Sequence, residues 1–277
     1  MLDTMLEMFA YPFMVRAFVV GILVSLCASL LGSSLVLKRY SMIGDGLSHV
    51  GFAALAVAYA MNAAPLLVAI PVCVLAAFLL LRMNESSKIK GDAATALMCS
   101  GALAVGVMTV SLTTGMNTDV SNYMFGSILA MSVRDVEISI VLSIAVIALF
   151  VLCYPRIFAV TFDENFARAT GTRSSLYNML LALLTAITVV LGMRMMGTLL
   201  ISSLIVFPAL SAMRICRKFK TVIIAAVLIS ISCFCVGIYI SYEYSTPTGA
   251  SIVIANIIVF LLLALLEQVR ERTGSSL

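Results

Sequence analysis

The chain is 277 residues long, 62% hydrophobic and only 11% charged, and it contains no Trp. A soluble domain carries about 25% charged residues because its surface faces water, so an ordinary soluble enzyme, a disordered chain and a disulfide scaffold are all excluded. With a mean hydropathy of +1.15, the chain reads as a polytopic membrane protein whose solvent is the lipid bilayer. The net charge of +4 indicates no nucleic-acid partner, because the basic residues sit in short loops and form no patch.

The first twelve residues carry Asp3 and Glu7 and lack the basic stretch and cleavage site of a secretory signal. They are expected to stay in place as a short helix at the membrane surface. A helix needs about 20 apolar residues to cross about 30 Å of hydrocarbon. Such runs lie at 13–37, 44–61, 65–82, 93–113, 136–154, 176–195, 198–213, 221–241 and 250–268. They predict an all-α membrane helix bundle of about nine spans, or eight if the short 198–213 segment is not counted. Residues 120–130 (VSNYMFGSILA) are too short to span and too apolar for a free loop. A re-entrant half-helix buried in protein is the expectation there. With no internal repeat and no low-complexity linker, residues 1–277 read as one domain.

Basic residues mark alternate loops: Lys38 and Arg39; Lys88 and Lys90; Arg156, Arg168 and Arg173; Arg214, Arg217, Lys218 and Lys220; then Arg270 and Arg272. By the positive-inside rule these loops are cytoplasmic, which predicts an outside N-terminus and a cytoplasmic C-terminus. Arg134 and Arg194 dissent. The seven cysteines show no CxxC spacing and are read as small core or lipid-phase residues.

No G-x-x-x-x-G-K-[ST] loop occurs, so this chain lacks that route to ATP hydrolysis. No G-x-S-x-G or H-E-x-x-H motif occurs either, and adjacent Ser48 and His49 point about 100° apart on a helix, too far round to act as nucleophile and base. The polar residues that stand out are Asp45 and His49, the only histidine, in RYSMIGDGLSHVG. Four residues apart, they face one way on a helix. Ionisable residues inside a span are costly and usually line a pathway. A carboxylate and an imidazole suit Zn²⁺, Mn²⁺ or Fe²⁺; alternatively, Asp45 caps its helix and His49 only hydrogen-bonds to it. Gly44, Gly46, Ser48 and Gly51 are small enough to admit a neighbouring helix closely. The cluster Met193, Met195 and Met196 reads as packing rather than as thioether ligands.

The cytoplasmic loop 155–175 contains FDENFARATG. Asp163 offers a cap, Phe162 and Phe166 have amphipathic spacing, and Gly171 ends the turn. A short helix of this kind suits docking into a partner's groove, although a partnerless surface helix has the same pattern.

These landmarks, together with GILVSLCASLLGSSLVLKRYSMIGDGLSHVGFAAL, NYMFGSILAMS, LLISSLIVFPALSA and TPTGASIVIANIIVF, occur in an order that resembles the permease subunits of ABC importers for zinc, manganese and iron. The similarity covers essentially the whole chain and extends more distantly to the cobalamin and siderophore permeases. One departure is Ser245-Thr246 before Pro247, where the family often has an acid. The resemblance implies a homodimeric permease with its pathway along the two-fold axis, in the cell membrane. It implies two cytoplasmic ATPase subunits that bind the ATP, and an extracytoplasmic metal-binding protein that delivers the ion. Asp45 and His49 match the family's intramembrane D-x-x-x-H positions and would meet the transported ion, with zinc the expected cargo and manganese or iron the alternative. Phe162, Asp163, Glu164, Ala167 and Gly171 would form the coupling helix seated on the ATPase. A self-sufficient secondary metal transporter would be expected to show inverted repeats and several membrane-embedded acids, and a membrane enzyme would need a catalytic constellation; neither is evident.

Overall fold

A computed structural model describes residues 10–86, 92–113, 132–198 and 201–272. Among these the chain forms ten helices and no strand: α1 (Pro12–Leu37), α2 (Ile43–Ala60), α3 (Pro65–Ser86), α4 (Asp92–Leu112), α5 (Val133–Phe162), α6 (Glu164–Ala169), α7 (Ser174–Met196), α8 (Ile201–Ile215), α9 (Phe219–Tyr244) and α10 (Thr248–Arg272). The expected surface helix at the N-terminus, the half-helix at 120–130, Lys88, Lys90 and the side chains of Met195, Arg270 and Arg272 lie outside the described residues.

Eight of these helices are long and apolar enough to cross a membrane. The ninth expected span is α8, whose 15 residues reach about 22 Å at 1.5 Å per residue, short of the hydrocarbon thickness of about 30 Å. Conversely, α5 runs for 30 residues to Phe162, so much of the expected loop 155–175 is helical. The expected span ends at Tyr154, yet the helix continues through Pro155, a residue that removes a donor and crowds the preceding turn. Aromatic packing carries the helix past it: Tyr154, Phe158 and Phe162 all pack on Phe219 of α9, with ring centroids 5.3 to 5.9 Å apart.

Helices α1, α2 and α7 are mostly buried, whereas α4, α5 and α10 turn most of their surface outward. Between helices in lipid there is little hydrophobic driving force, so close van der Waals packing must hold them. α1 is built for that. Its buried face carries Ala17, Gly21, Ser25, Ala28, Ser29, Gly32 and Ser33, which bring α5, α7, α8 and α9 close around it. The Ser29 and Ser33 hydroxyls donate back to the Leu26 and Ser29 carbonyls at 3.0 and 3.2 Å, which satisfies them inside their own helix.

Ion pairs tie together helix ends. Lys38, at the end of α1, meets Glu164 of α6, so the 38–42 and 163–173 loops share one end of the bundle. Arg214 pairs with Glu267 at 2.5 Å and lies over the Phe260 ring at 4.6 Å. Arg194, which dissents from the basic-loop pattern, is buried against Asp135 at 3.0 Å, joining the end of α7 to the start of α5. Its charge is matched within the bundle.

Candidate metal site

α2 starts after the tight turn 38–42. Its N-cap, Met42, makes no side-chain cap, and Asp45 falls in the first helical turn. Capping is therefore not what occupies the Asp45 carboxylate. Its Oδ1 accepts the Ser202 hydroxyl of α8 at 3.3 Å, and its Oδ2 faces the Cys99 thiol of α4 at 3.8 Å. His49 sits one turn along, with Nε2 at 4.0 Å from Asp45 Oδ1, beyond hydrogen-bond range. Its Nδ1 is buried without a hydrogen-bond partner among the described residues, although a buried polar atom ordinarily finds one. The alternative in which His49 is only a satisfied partner of Asp45 does not describe this geometry.

One ligand atom each from Asp45, His49 and Cys99 lies within 4.8 Å of the others. The side chains are 31% exposed for Asp45 and 13% for His49, so the group is recessed but not fully buried. Cys99 departs from the reading of all seven cysteines as core or lipid-phase residues in that its thiol faces the Asp45 carboxylate. In sequence it is one thiol in an apolar run, and only helix packing brings it opposite Asp45. Ser202 was missed for the same reason. Ser48 donates to the Asp45 carbonyl at 2.8 Å, a helix-internal bond that leaves it no catalytic part.

The small residues of α2 let the walls of the site approach. A Cβ on Gly46 would lie 3.1 Å from Thr95 and 3.9 Å from Cys99 Sγ on α4; one on Gly44 would lie 3.1 Å from Ile205 on α8. On Gly51 it would lie 2.5 Å from the Met193 sulfur. Met193 thus fills the notch beside Gly51 and, like Met196, is buried packing.

At the Lys38 end, Asp163 caps α6 by accepting the Phe166 N–H at 2.9 Å. Gly171 has φ +85 and the Thr172 N–H donates to the Ala167 carbonyl at 2.9 Å, which closes the helix. Phe162 and Phe166 are exposed, whereas Ala167 is buried inside this chain. Ala167 is therefore a packing residue, and the face left exposed is aromatic. Glu164 pairs with Arg168 at 2.6 Å and with Lys38 at 3.5 Å. Burial works to raise its pKa, but the Asn178 hydrogen bond and the Lys38 and Arg168 charges outweigh it and hold the carboxyl below its ordinary value. Ser245, at the departure noted in the sequence, takes φ +51 as the C-cap of α9, and Thr246 Oγ1 lies 2.8 Å from Ser251 Oγ. The pair forms a hydrogen-bonded turn into α10.

Residues 10–267 match the family described as the ABC 3 transport family. The chain belongs to that family. A protein of Haemophilus influenzae named as a probable iron transport system membrane protein is 33% identical over 94% of this chain and 92% of its own length. The manganese import system permease protein ScaB of Streptococcus gordonii is 28% identical over 91% of this chain and 90% of its own. Among solved structures, PsaBC from Streptococcus pneumoniae in complex with Fab superposes with a TM-score of 0.85 at 26% identity, covering 94% of both chains. As a member of the family the chain is the membrane permease subunit of an ABC importer, embedded in the bilayer, with ATP hydrolysis supplied by separate subunits.

Proposed function

We propose that this permease conducts a divalent transition metal, zinc being the ion its donor set suits best. The observation that carries this reading is the convergence of a carboxylate, an imidazole and a thiol within 4.8 Å. Oxygen, nitrogen and sulfur ligands are those of zinc sites, whereas manganese favours oxygen. Asp45 and His49 come from one helix and Cys99 from another, and three ligands leave the coordination sphere incomplete among the described residues. An incomplete sphere suits a passage that must let go of its ion. Manganese or iron is the second reading, favoured by the names of the relatives; ferrous iron shares zinc's tolerance of sulfur.

In the same proposal residues 1–277 are one permease domain that pairs with a second copy around the pathway. The 163–173 segment seats on a cytoplasmic ATPase, one on each copy, and a metal-binding protein delivers the ion from outside. With α8 counted as a ninth crossing, the N-terminus faces out and the C-terminus lies in the cytoplasm. The test is radioactive zinc uptake into proteoliposomes that contain the permease, its ATPase and its binding protein. ATP-dependent uptake is expected, and both His49→Ala and Asp45→Asn should abolish it while leaving the complex assembled. ATP-driven uptake of manganese or iron that excess zinc fails to inhibit would transfer the cargo to the second reading. Undiminished transport in both variants would remove the metal role from these residues.

A further inference from the structure

We propose that Lys38 is the positioning residue through which the coupling segment moves the metal-bearing helix α2; this rests on the reading of α6 as the ATPase-docking helix. Lys38 closes α1, and its ammonium is turned into the protein with the side chain only 7% exposed. It donates to the Val160 carbonyl at 3.2 Å, to Glu164 Oε2 at 3.5 Å and to Asn178 Oδ1. An ammonium has three N–H donors, and these are three acceptors. A charge this recessed is costly unless its partners stay in place, so the contact is a clamp rather than a loose surface pair.

The placement of the acceptors gives the clamp its meaning. Val160 is in the last turn of α5, Glu164 in α6 and Asn178 in the first turns of α7. All three belong to the coupling helix or to the helix ends that flank it, joined to it by Asp163 on one side and by residues 170–173 on the other. A partner that displaces α6 displaces those flanks, and Lys38 is fastened to all of them.

On its other side Lys38 is joined to the metal site by a stiff connection. The turn 38–42 is hydrogen-bonded at successive steps: Lys38 N–H to Ser34 O at 3.1 Å, Arg39 to Val36 at 3.0 Å, Tyr40 to Leu35 at 2.8 Å and Ile43 to Tyr40 at 3.0 Å. Arg39 is held at φ +60 inside it. α2 follows at Ile43, and Asp45 lies in its first turn. A shift at Lys38 is therefore passed to the carboxylate rather than absorbed by slack chain. Coupling of this kind needs a physical element that both ends bias, and the clamped turn is that element.

The experiment measures metal transported per ATP hydrolysed by the full complex in proteoliposomes, with zinc as the probe ion. Lys38→Met keeps the length of the side chain and removes the charge. It should keep the ATPase bound and hydrolysing while the metal-to-ATP ratio falls at least tenfold, and Lys38→Arg should restore at least half of the ratio. A merely structural role would reduce assembled complex and lower both rates together, so an unchanged ratio in Lys38→Met overturns the proposal. If that variant does not assemble, Glu164→Gln decides: it leaves Val160 and Asn178 in place, and its ratio should fall severalfold, with a wild-type ratio overturning the proposal. Phe166→Asp, on the exposed aromatic face, separates the two readings. It should lose the ATPase altogether; if the ATPase still binds, the docking assignment fails, whatever the Lys38 ratio shows.

Discussion

Gly32→Ala should damage the proposed metal site from a distance. Gly32 lies where α1 passes α8, and a Cβ there would sit 2.0 Å from the Ile205 carbonyl oxygen and 3.0 Å from its carbon. Carbon–oxygen contacts begin near 3.3 Å, so α8 must retreat by roughly 1.3 Å. The obstacle is backbone, and no change of side-chain rotamer relieves it. Ser202 stands one turn before Ile205 on α8 and donates to Asp45 at 3.3 Å, already the long end of a hydrogen bond. A displacement of α8 by that amount disturbs this contact. Overpacking of this kind costs about 1–3 kcal/mol, and each kcal/mol lowers the midpoint of a chain near this size by about 2–4 °C. Gly101→Ala is the control, since a Cβ there meets none of the described residues within 4 Å; removing a mid-helix glycine should gain about 0.5–1 kcal/mol. Thermal unfolding in detergent and equilibrium dialysis against zinc would read both effects. A Gly32→Ala protein that melts with the wild type and binds zinc equally would refute the reasoning.

Other outcomes follow from the same geometry. Cys99→Ser exchanges sulfur for oxygen opposite Asp45, so competition dialysis should show zinc losing about tenfold of its advantage over manganese. Gly171→Val forces a β-branched residue to φ +85 at about 1 kcal/mol or more, and ATPase pull-down should weaken while zinc binding stays intact. Glu164 titrates below its ordinary value of 4.5, so it adds stability above that pH and loses it as pH falls through the lowered pKa. Melting curves across that range should therefore drop more for wild type than for Glu164→Gln. In a background without native cysteines, Thr246→Cys should react with an impermeant thiol reagent from outside and Lys220→Cys should not; reversed labelling would invert the topology.

Much of this was legible in the chain. Apart from the end of α5, which runs eight residues past the expected Tyr154, the lengths of the apolar runs placed the long helices to within about four residues, because helix rise against bilayer thickness is simple arithmetic. Asp45 and His49 could be paired because helical periodicity operates within one segment. Cys99 and Ser202 could not, since each meets Asp45 through the packing of separate helices, 54 and 157 residues away in sequence. Lys38 shows the same limit: its charge marks the sidedness of a loop, but its burial against residues 160–178 is a tertiary fact. Arg194 breaks the basic-loop rule because the rule counts charges in water, and this one is matched by Asp135 inside the bundle. Ala167 looked like a contact for a partner because it is small, yet the amphipathic turn of α6 points it inward.

Asp45 and His49 ride on α2 and keep their spacing whatever that helix does, whereas the sulfur of Cys99 rides on α4. The denticity of the site is therefore a matter of helix registry. In the proposed site, a slide of α2 against α4 by about an ångström or two would leave the chelating pair whole and subtract one donor. Affinity would then change in a step, and the ion would be handed onward without acidification, local unfolding or a competing ligand.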